Sequence, residues 1–216
     1  MPLPLRGLAA ALVVAALAAA SIAPAAAAEP VRIVALGDSL TAGYGLPPGN
    51  GFPAKLQAAL AARGIAATVV DAGVSGDTTS GALARLDWSV GADADAVIVE
   101  LGGNDALRAI DPALTRENLD AILARLAARG VPVLVAGMRA PPNLGEAYAG
   151  AFDPIFGDAA RRHGALLYPF FLDGVAGDPV LNQGDGIHPT AAGVDVIVER
   201  ILPSVEALIA RAAERS

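Results

Sequence analysis

Five short apolar runs recur along the chain, and none of them alternates polar with apolar residues. They are Val31–Leu36, Thr68–Asp71, Ala96–Leu101, Pro132–Ala136 and the weaker Ala165–Tyr168. A strand with one face in water alternates with period two, whereas a strand covered on both faces stays apolar throughout. The runs therefore predict a parallel sheet with a layer of helices on each side. Helical patterns fill the gaps. Phe52–Arg63 stops at Gly64 and Thr79–Val90 stops at Gly91, both positions suited to a helix C-terminus. Asp111 and Pro112 read as an N-cap and a first-turn proline. Behind them Leu119, Ile122, Leu123 and Leu126 form one apolar stripe that ends before Gly130. Glu146–Arg162 is a further helix with Pro154 as its kink or break. The last begins near Pro189, carries Val194, Ile197, Val198 and Ile201, and meets Pro203, which should kink or divide it. Strict alternation of strand and helix predicts one doubly wound, three-layer α/β/α sandwich of about five parallel strands over residues 29–216.

Residues 1–28 follow different rules. Arg6 precedes an unbroken apolar run of 13 residues, Leu8 to Ala20, and Ala26-Ala27-Ala28 supplies a small-residue cleavage site. The run is short of the roughly 18–20 residues a membrane span needs. The layout is that of a secretory signal peptide cleaved near Ala28, which predicts a periplasmic or secreted mature chain with no membrane span.

Composition narrows the chemistry. The chain has no cysteine, which removes disulfides, a thiolate nucleophile and cysteine-ligated zinc. Its two histidines, His163 and His188, are too few for a three-histidine metal site. Lys55 is the only lysine, which leaves little room for Schiff-base chemistry. The net charge is −7 with no basic cluster, so nucleic acid is not an expected partner.

In open α/β sheets ligands bind outside the carboxyl ends of the strands. The five strands are followed in turn by Gly37-Asp38-Ser39-Leu40, Gly73-Val74-Ser75-Gly76-Asp77, Gly102-Gly103-Asn104-Asp105, the proline-rich Arg139–Gly145 and, on a long loop, Asp185-Gly186-Ile187-His188-Pro189. A nucleophilic serine needs a base on its hydroxyl and an orienting group behind the base. His163 sits beside Arg161 and Arg162 at a helix end and reads as surface. His188 has Asp185 three residues earlier, a spacing that lets the carboxylate fold back on the imidazole; the same residues also suit a turn with Asp185 as a local cap. Ser39 reads either as an exposed strand-to-helix serine or as an ordinary N-cap. Gly76 offers an unobstructed backbone N–H and Asn104 a side-chain amide, two donors of the kind an oxyanion requires. Asp38 is expected to brace the Ser39 turn. Glu100, which ends a buried strand, should be paired and is expected, like Asp105, to support the Asn104 loop.

The segments ALGDSLTAGYG, DAGVSGDTTSGALARL, VIVELGGNDALR and GDGIHPTAAG place Ser39, Gly76, Asn104 and His188 in order, each beside its expected strand. Together they resemble the four sequence blocks of the SGNH (GDSL) hydrolases across essentially the whole mature chain. The resemblance is strongest to the bacterial periplasmic subgroup described as thioesterase, lysophospholipase and arylesterase. It implies a flavodoxin-like sandwich and a serine esterase that cleaves carboxylic esters and thioesters through an acyl-enzyme. Ser39 would be the nucleophile, His188 the base and then acid, and Asp185 its orienter. The N–H groups of Ser39 and Gly76 with the Asn104 side chain would form the oxyanion hole. No metal or cofactor is implied, and a monomer acting on small acyl esters, thioesters or lysophospholipid is expected. GMRAPPNLGEAYAGAF resembles the subgroup's substrate-facing loop, so Leu144 and Tyr148 are expected to offer apolar area to substrate.

Other readings make different demands. A nucleotide-binding protein of this fold lacks support, since there is no P-loop lysine and no G-x-G-x-x-G opens a helix after the first strand. A binding module that kept the fold without activity would not need all four segments. The alternative within hydrolases is a carbohydrate O-deacetylase, which predicts a cleft rich in aromatic rings and hydrogen-bonding groups. An acyl esterase predicts an apolar groove.

Overall fold

The structure is a computed structural model that describes residue 1 and residues 29–215. The leader expected over residues 1–28 falls, Met1 apart, outside the described residues. Five parallel strands, β1 (Val31–Gly37), β2 (Ala67–Gly73), β3 (Ala96–Glu100), β4 (Val133–Ala136) and β5 (Leu166–Tyr168), form one sheet in the order β2-β1-β3-β4-β5. All five fall where the apolar runs predict them. The three inner strands are those buried most fully: every residue of β3 and β4 is buried, as are Ile33 to Gly37 of β1. β2 and β5 are the sheet edges and are only partly covered, a difference from the uniform burial expected. An edge strand lacks a neighbour on one side, so part of its surface meets solvent.

Helices α1 (Ser39–Ala42) and α2 (Phe52–Ala62) lie between β1 and β2. Then come α3 (Thr79–Ala84), α4 (Leu86–Ser89), α5 (Gly103–Leu107), α6 (Pro112–Ala128), α7 (Gly145–Phe152), α8 (Pro154–His163) and α9 (Ala191–Ala213). α2 and α9 cover one face of the sheet, while α6 and α8 cover the other, with α3 against α6. Leu119, Ile122, Leu123 and Leu126 of α6 are all buried, as their stripe predicts. Asp111 caps α6 by accepting from the Ala113 N–H at 2.9 Å, an arrangement typically worth about 1 kcal/mol. Pro154 starts α8 and so separates it from α7. Pro203 does not divide α9, because Ile201, Leu202 and Val205 on both sides of it are buried in the core.

The expected single helix Thr79–Val90 is instead two, and Arg85 is the break. Its guanidinium turns inward to donate to Gly37 O and Ala72 O, both at 2.9 Å, and to Asp77 at 2.6 Å. One side chain thus ties together the ends of β1 and β2.

The sheet order changes direction between β1 and β3, where helices leave toward opposite faces. Gly37 and Glu100 are register partners there, so the loops carrying Ser39 and Asn104 flank the crevice. No helix among the described residues is long and apolar enough to cross a membrane.

Candidate active site

The turn that presents Ser39 leaves no room for error at its first residue. A Cβ on Gly37 would sit 2.0 Å from Thr41 Oγ1 and 2.8 Å from Glu100 Oε2. The chain then reverses at Asp38, whose Oδ1 accepts from the Leu40 N–H at 2.9 Å and caps α1. Ser39 follows as the first residue of α1. The N–H of Ser39 donates to no group among the described residues, as befits a first-turn residue.

The His188 loop is built around one carboxylate. Asp185 Oδ1 accepts from the N–H groups of Ile187 (2.9 Å) and His188 (3.0 Å), and Oδ2 lies 2.6 Å from His188 Nδ1. The backbone N–H of His188, its ring and the N–H of Ile187 together pull the Asp185 carboxyl down to about 2. It is therefore ionised at neutral pH, and the neutral imidazole places its proton on Nδ1. Nε2 is left as an acceptor, and it lies 2.9 Å from Ser39 Oγ. Ser39 and His188 are 149 positions apart in sequence.

Asn104 enters from the β3 side. Gly102 before it has φ 101°, and a Cβ there would lie 2.8 Å from the Phe156 ring, so only glycine fits. Asn104 Nδ2 donates to Asp38 Oδ2 at 3.0 Å, which uses one of its two amide protons. Asp38 therefore joins the Ser39 turn to the Asn104 helix. Burial raises its carboxyl to about 6, opposed by the bonds from Leu40 and Asn104.

Gly76 sits in a turn closed by Asp77 N–H to Val74 O, at φ 84°, and its own N–H donates to no group among the described residues. Arg108 holds its carbonyl at 2.7 Å. Behind both loops the buried Asp105 accepts from the N–H and hydroxyl of Thr79, at 2.9 and 2.5 Å, and so links the Asn104 helix to the segment after Gly76. Glu100 is fully buried but does not support the Asn104 loop as expected. It accepts from Thr41 Oγ1 at 2.8 Å, beneath the Ser39 turn, because β1 and β3 are adjacent there. Burial, followed by the charge of Asp38, raises its carboxyl well above the ordinary range.

Residues 35–196 match the model of the GDSL-like lipase/acylhydrolase family. The chain belongs to that family. It is 40% identical over 178 residues to esterase TesA of Pseudomonas aeruginosa, covering 82% of this chain and 89% of that one. It is 36% identical to thioesterase 1/protease 1/lysophospholipase L1 of Escherichia coli K12, covering 82% and 84%. Among solved structures it is similar to AlinE4, an SGNH-hydrolase family esterase. That match has 48% identity and a TM-score of 0.71, over 84% of this chain and 98% of the other.

Beside Ser39 and Asn104 this family member has a cleft of about 510 Å³. Leu107, Met138, Pro141, Pro142, Phe170 and Leu172 give it an apolar wall. Leu144 and Tyr148, expected to face substrate, do not line it. The Tyr148 hydroxyl donates to Ile110 O at 2.8 Å and its ring stacks on Phe152, while Leu144 packs against the core. Residues 139–143 take the cleft instead, and the chain turns away from it as α7 begins. Phe170 is covered by the Arg139 guanidinium, 4.8 Å from its centroid. His163, read as surface, lies at the C-terminal end of α8 and pairs with Asp120 at 3.2 Å. Sequence reasoning missed Arg85, and also Tyr44, whose ring lies 4.6 Å from that of His188.

Proposed function

We propose that this chain hydrolyses carboxylic esters and thioesters through an acyl-enzyme on Ser39, with His188 as base and Asp185 as its orienter. The chain is a carboxylic ester hydrolase, as its family membership establishes. The single observation that supports the residue assignment is the bridging position of His188, with Nε2 at 2.9 Å from Ser39 Oγ and Nδ1 at 2.6 Å from Asp185.

The chemistry follows from that geometry. Ser39 Oγ attacks the acyl carbon while its proton passes to His188 Nε2. The resulting imidazolium is held by the ionised Asp185. The tetrahedral oxyanion takes hydrogen bonds from the N–H groups of Ser39 and Gly76 and from the free amide proton of Asn104. Collapse breaks the bond to the leaving alcohol or thiol, which takes the proton from His188. A water molecule then repeats the sequence on the acyl-enzyme, releasing the acid and restoring Ser39.

The apolar wall of the cleft favours acyl chains over sugars, whose recognition calls for exposed rings and polar groups. Each methylene that enters it contributes at most roughly 0.8 kcal/mol. Aryl esters, acyl thioesters and lysophospholipid are the substrates this reading assigns, to a monomer exported and cleaved near Ala28. The test is a panel of p-nitrophenyl esters from two to twelve carbons, an acyl thioester and a lysophospholipid, run beside an acetylated sugar. Turnover of the acyl series is expected. Preferential release of acetate from the sugar would select the deacetylase reading instead. N-terminal sequencing of the exported protein tests the cleavage site.

A further inference from the structure

We propose that Tyr44 is a positioning residue for His188, its ring face steadying the imidazolium that forms when Ser39 gives up its proton. The inference rests on the assignment of His188 as base and extends it to a residue outside the cleft.

The two rings have centroids 4.6 Å apart and planes inclined at 40°. A cation within about 6 Å of an aromatic centroid is attracted by the negative face of the ring. Tyr44 is about half exposed, and its hydroxyl makes no hydrogen bond among the described residues. The ring is instead placed by its backbone. The Tyr44 N–H donates to Ser39 O at 3.0 Å, on the same turn that carries the nucleophile. Its carbonyl accepts from Gln183 Nε2 at 2.7 Å, and the same amide nitrogen reaches Pro189 O at 2.9 Å. The Gln183 N–H in turn donates to His188 O at 2.7 Å. Both backbone groups of Tyr44 are therefore committed to the two loops that must stay in register. Gly43 and Gly45 flank it at φ 72° and 76°, and a Cβ on Gly45 would lie 2.3 Å from Gln183 Oε1.

This placement matters because the His188–Asp185 pair is not deeply buried. The Asp185 side chain is 39% exposed and that of His188 17%. The charged groups that face the imidazole are Asp185, on its own loop, and Asp38, at the cap of α1. The Tyr44 ring adds an uncharged contact whose strength grows when the imidazole becomes positive. It should therefore act on kcat and not on KM. At a partly exposed site the attraction corresponds to about two- to fivefold in rate.

The test separates ring face from bulk. Tyr44→Phe keeps the ring and should match the wild type. Tyr44→Leu and, as a second aliphatic variant, Tyr44→Met keep apolar cover but lose the ring face. Each should lower kcat about two- to fivefold at unchanged KM. The acid limb of kcat/KM should move to lower pH by about 0.3–0.7 pH units, because the imidazolium has lost a stabilising contact. Wild-type kcat in both aliphatic variants would overturn the proposal, as would an effect confined to KM or a limb that moves to higher pH. Ser39→Ala and His188→Ala are measured alongside. Turnover surviving in those would refute the assignment of the base itself, whatever the Tyr44 variants show.

Discussion

The molecule contains two histidine–aspartate pairs, and they lie at opposite edges of the sheet. His188 pairs with Asp185 at the carboxyl edge; His163 pairs with Asp120 at the end of α8, just before β5 begins at the amino edge. Their histidine side chains are almost equally exposed, at 17% and 18%. Burial therefore does not distinguish them, and neither does the presence of a carboxylate. The difference is in what each ring nitrogen meets. In His188 the aspartate takes Nδ1 and leaves Nε2 against Ser39 Oγ. In His163 the aspartate takes Nε2 and also accepts from Arg162. The first pair is placed to take a proton from a hydroxyl; in the second, Asp120 ties α8 to α6 through Arg162 and His163.

The largest effects are expected at the proposed nucleophile and its proposed base. Ser39→Ala and His188→Ala should each lower kcat by about 10⁴-fold or more, with the fold intact by circular dichroism. His163→Ala should leave turnover unchanged. The reverse pattern in an ester assay would make His163 the base. Next, Asn104→Ala should lower kcat by about 10²–10³ with little change in KM, since its amide tightens onto charge present only in the transition state. An effect on KM alone would make it a ground-state contact. Asp185→Asn should cost less, about ten- to a hundredfold in kcat. That is well short of the ~10⁴ known for a buried partner, because water can reach the partly exposed Asp185. A loss as large as that of His188→Ala would argue that Asp185 is indispensable to the loop.

The smallest effect concerns stability. The Asp38 carboxyl, near 3.8 in an unfolded chain, stands at about 6 in the fold because it is buried. As pH rises through that window the unfolded chain loses its proton first, so Asp38 lowers stability above about pH 6 and has no such effect below about 3.8. Asp38→Asn removes the titration. Its melting temperature relative to wild type should be more favourable at pH 8 than at pH 4, by a few degrees. An identical difference at both pH values would show that folding does not raise the Asp38 pKa.

Much of this site is legible in the sequence, because each part lies immediately after a strand whose apolar run is plain. Ser39, Asn104 and His188 follow β1, β3 and the long β5 loop, and parallel strands bring all carboxyl ends to one edge. What stayed hidden are contacts between segments that no local spacing reports. Arg85 reaches Gly37 O across 48 positions, Gln183 reaches Tyr44 O across 139, and Asn104 reaches Asp38 across 66. The misplacement of Tyr148 has a local cause. Once α7 begins at Gly145, helical geometry sets Tyr148 one turn from Phe152 and stacks the two rings, away from the cleft.

If Ser39 is the residue that carries the acyl group, covalent labelling should mark it. The protein is treated with a serine-directed phosphonate ester, digested with trypsin and analysed by mass spectrometry. Cleavage after Arg32 and Lys55 isolates Ser39 as the only serine of its peptide, while Ser75 and Ser80 fall together in another. One adduct is expected, on the Ser39 peptide, formed in step with loss of esterase activity and absent in His188→Ala. An adduct on the peptide of Ser75 and Ser80, or full inactivation with the Ser39 peptide unmodified, would contradict that role for Ser39.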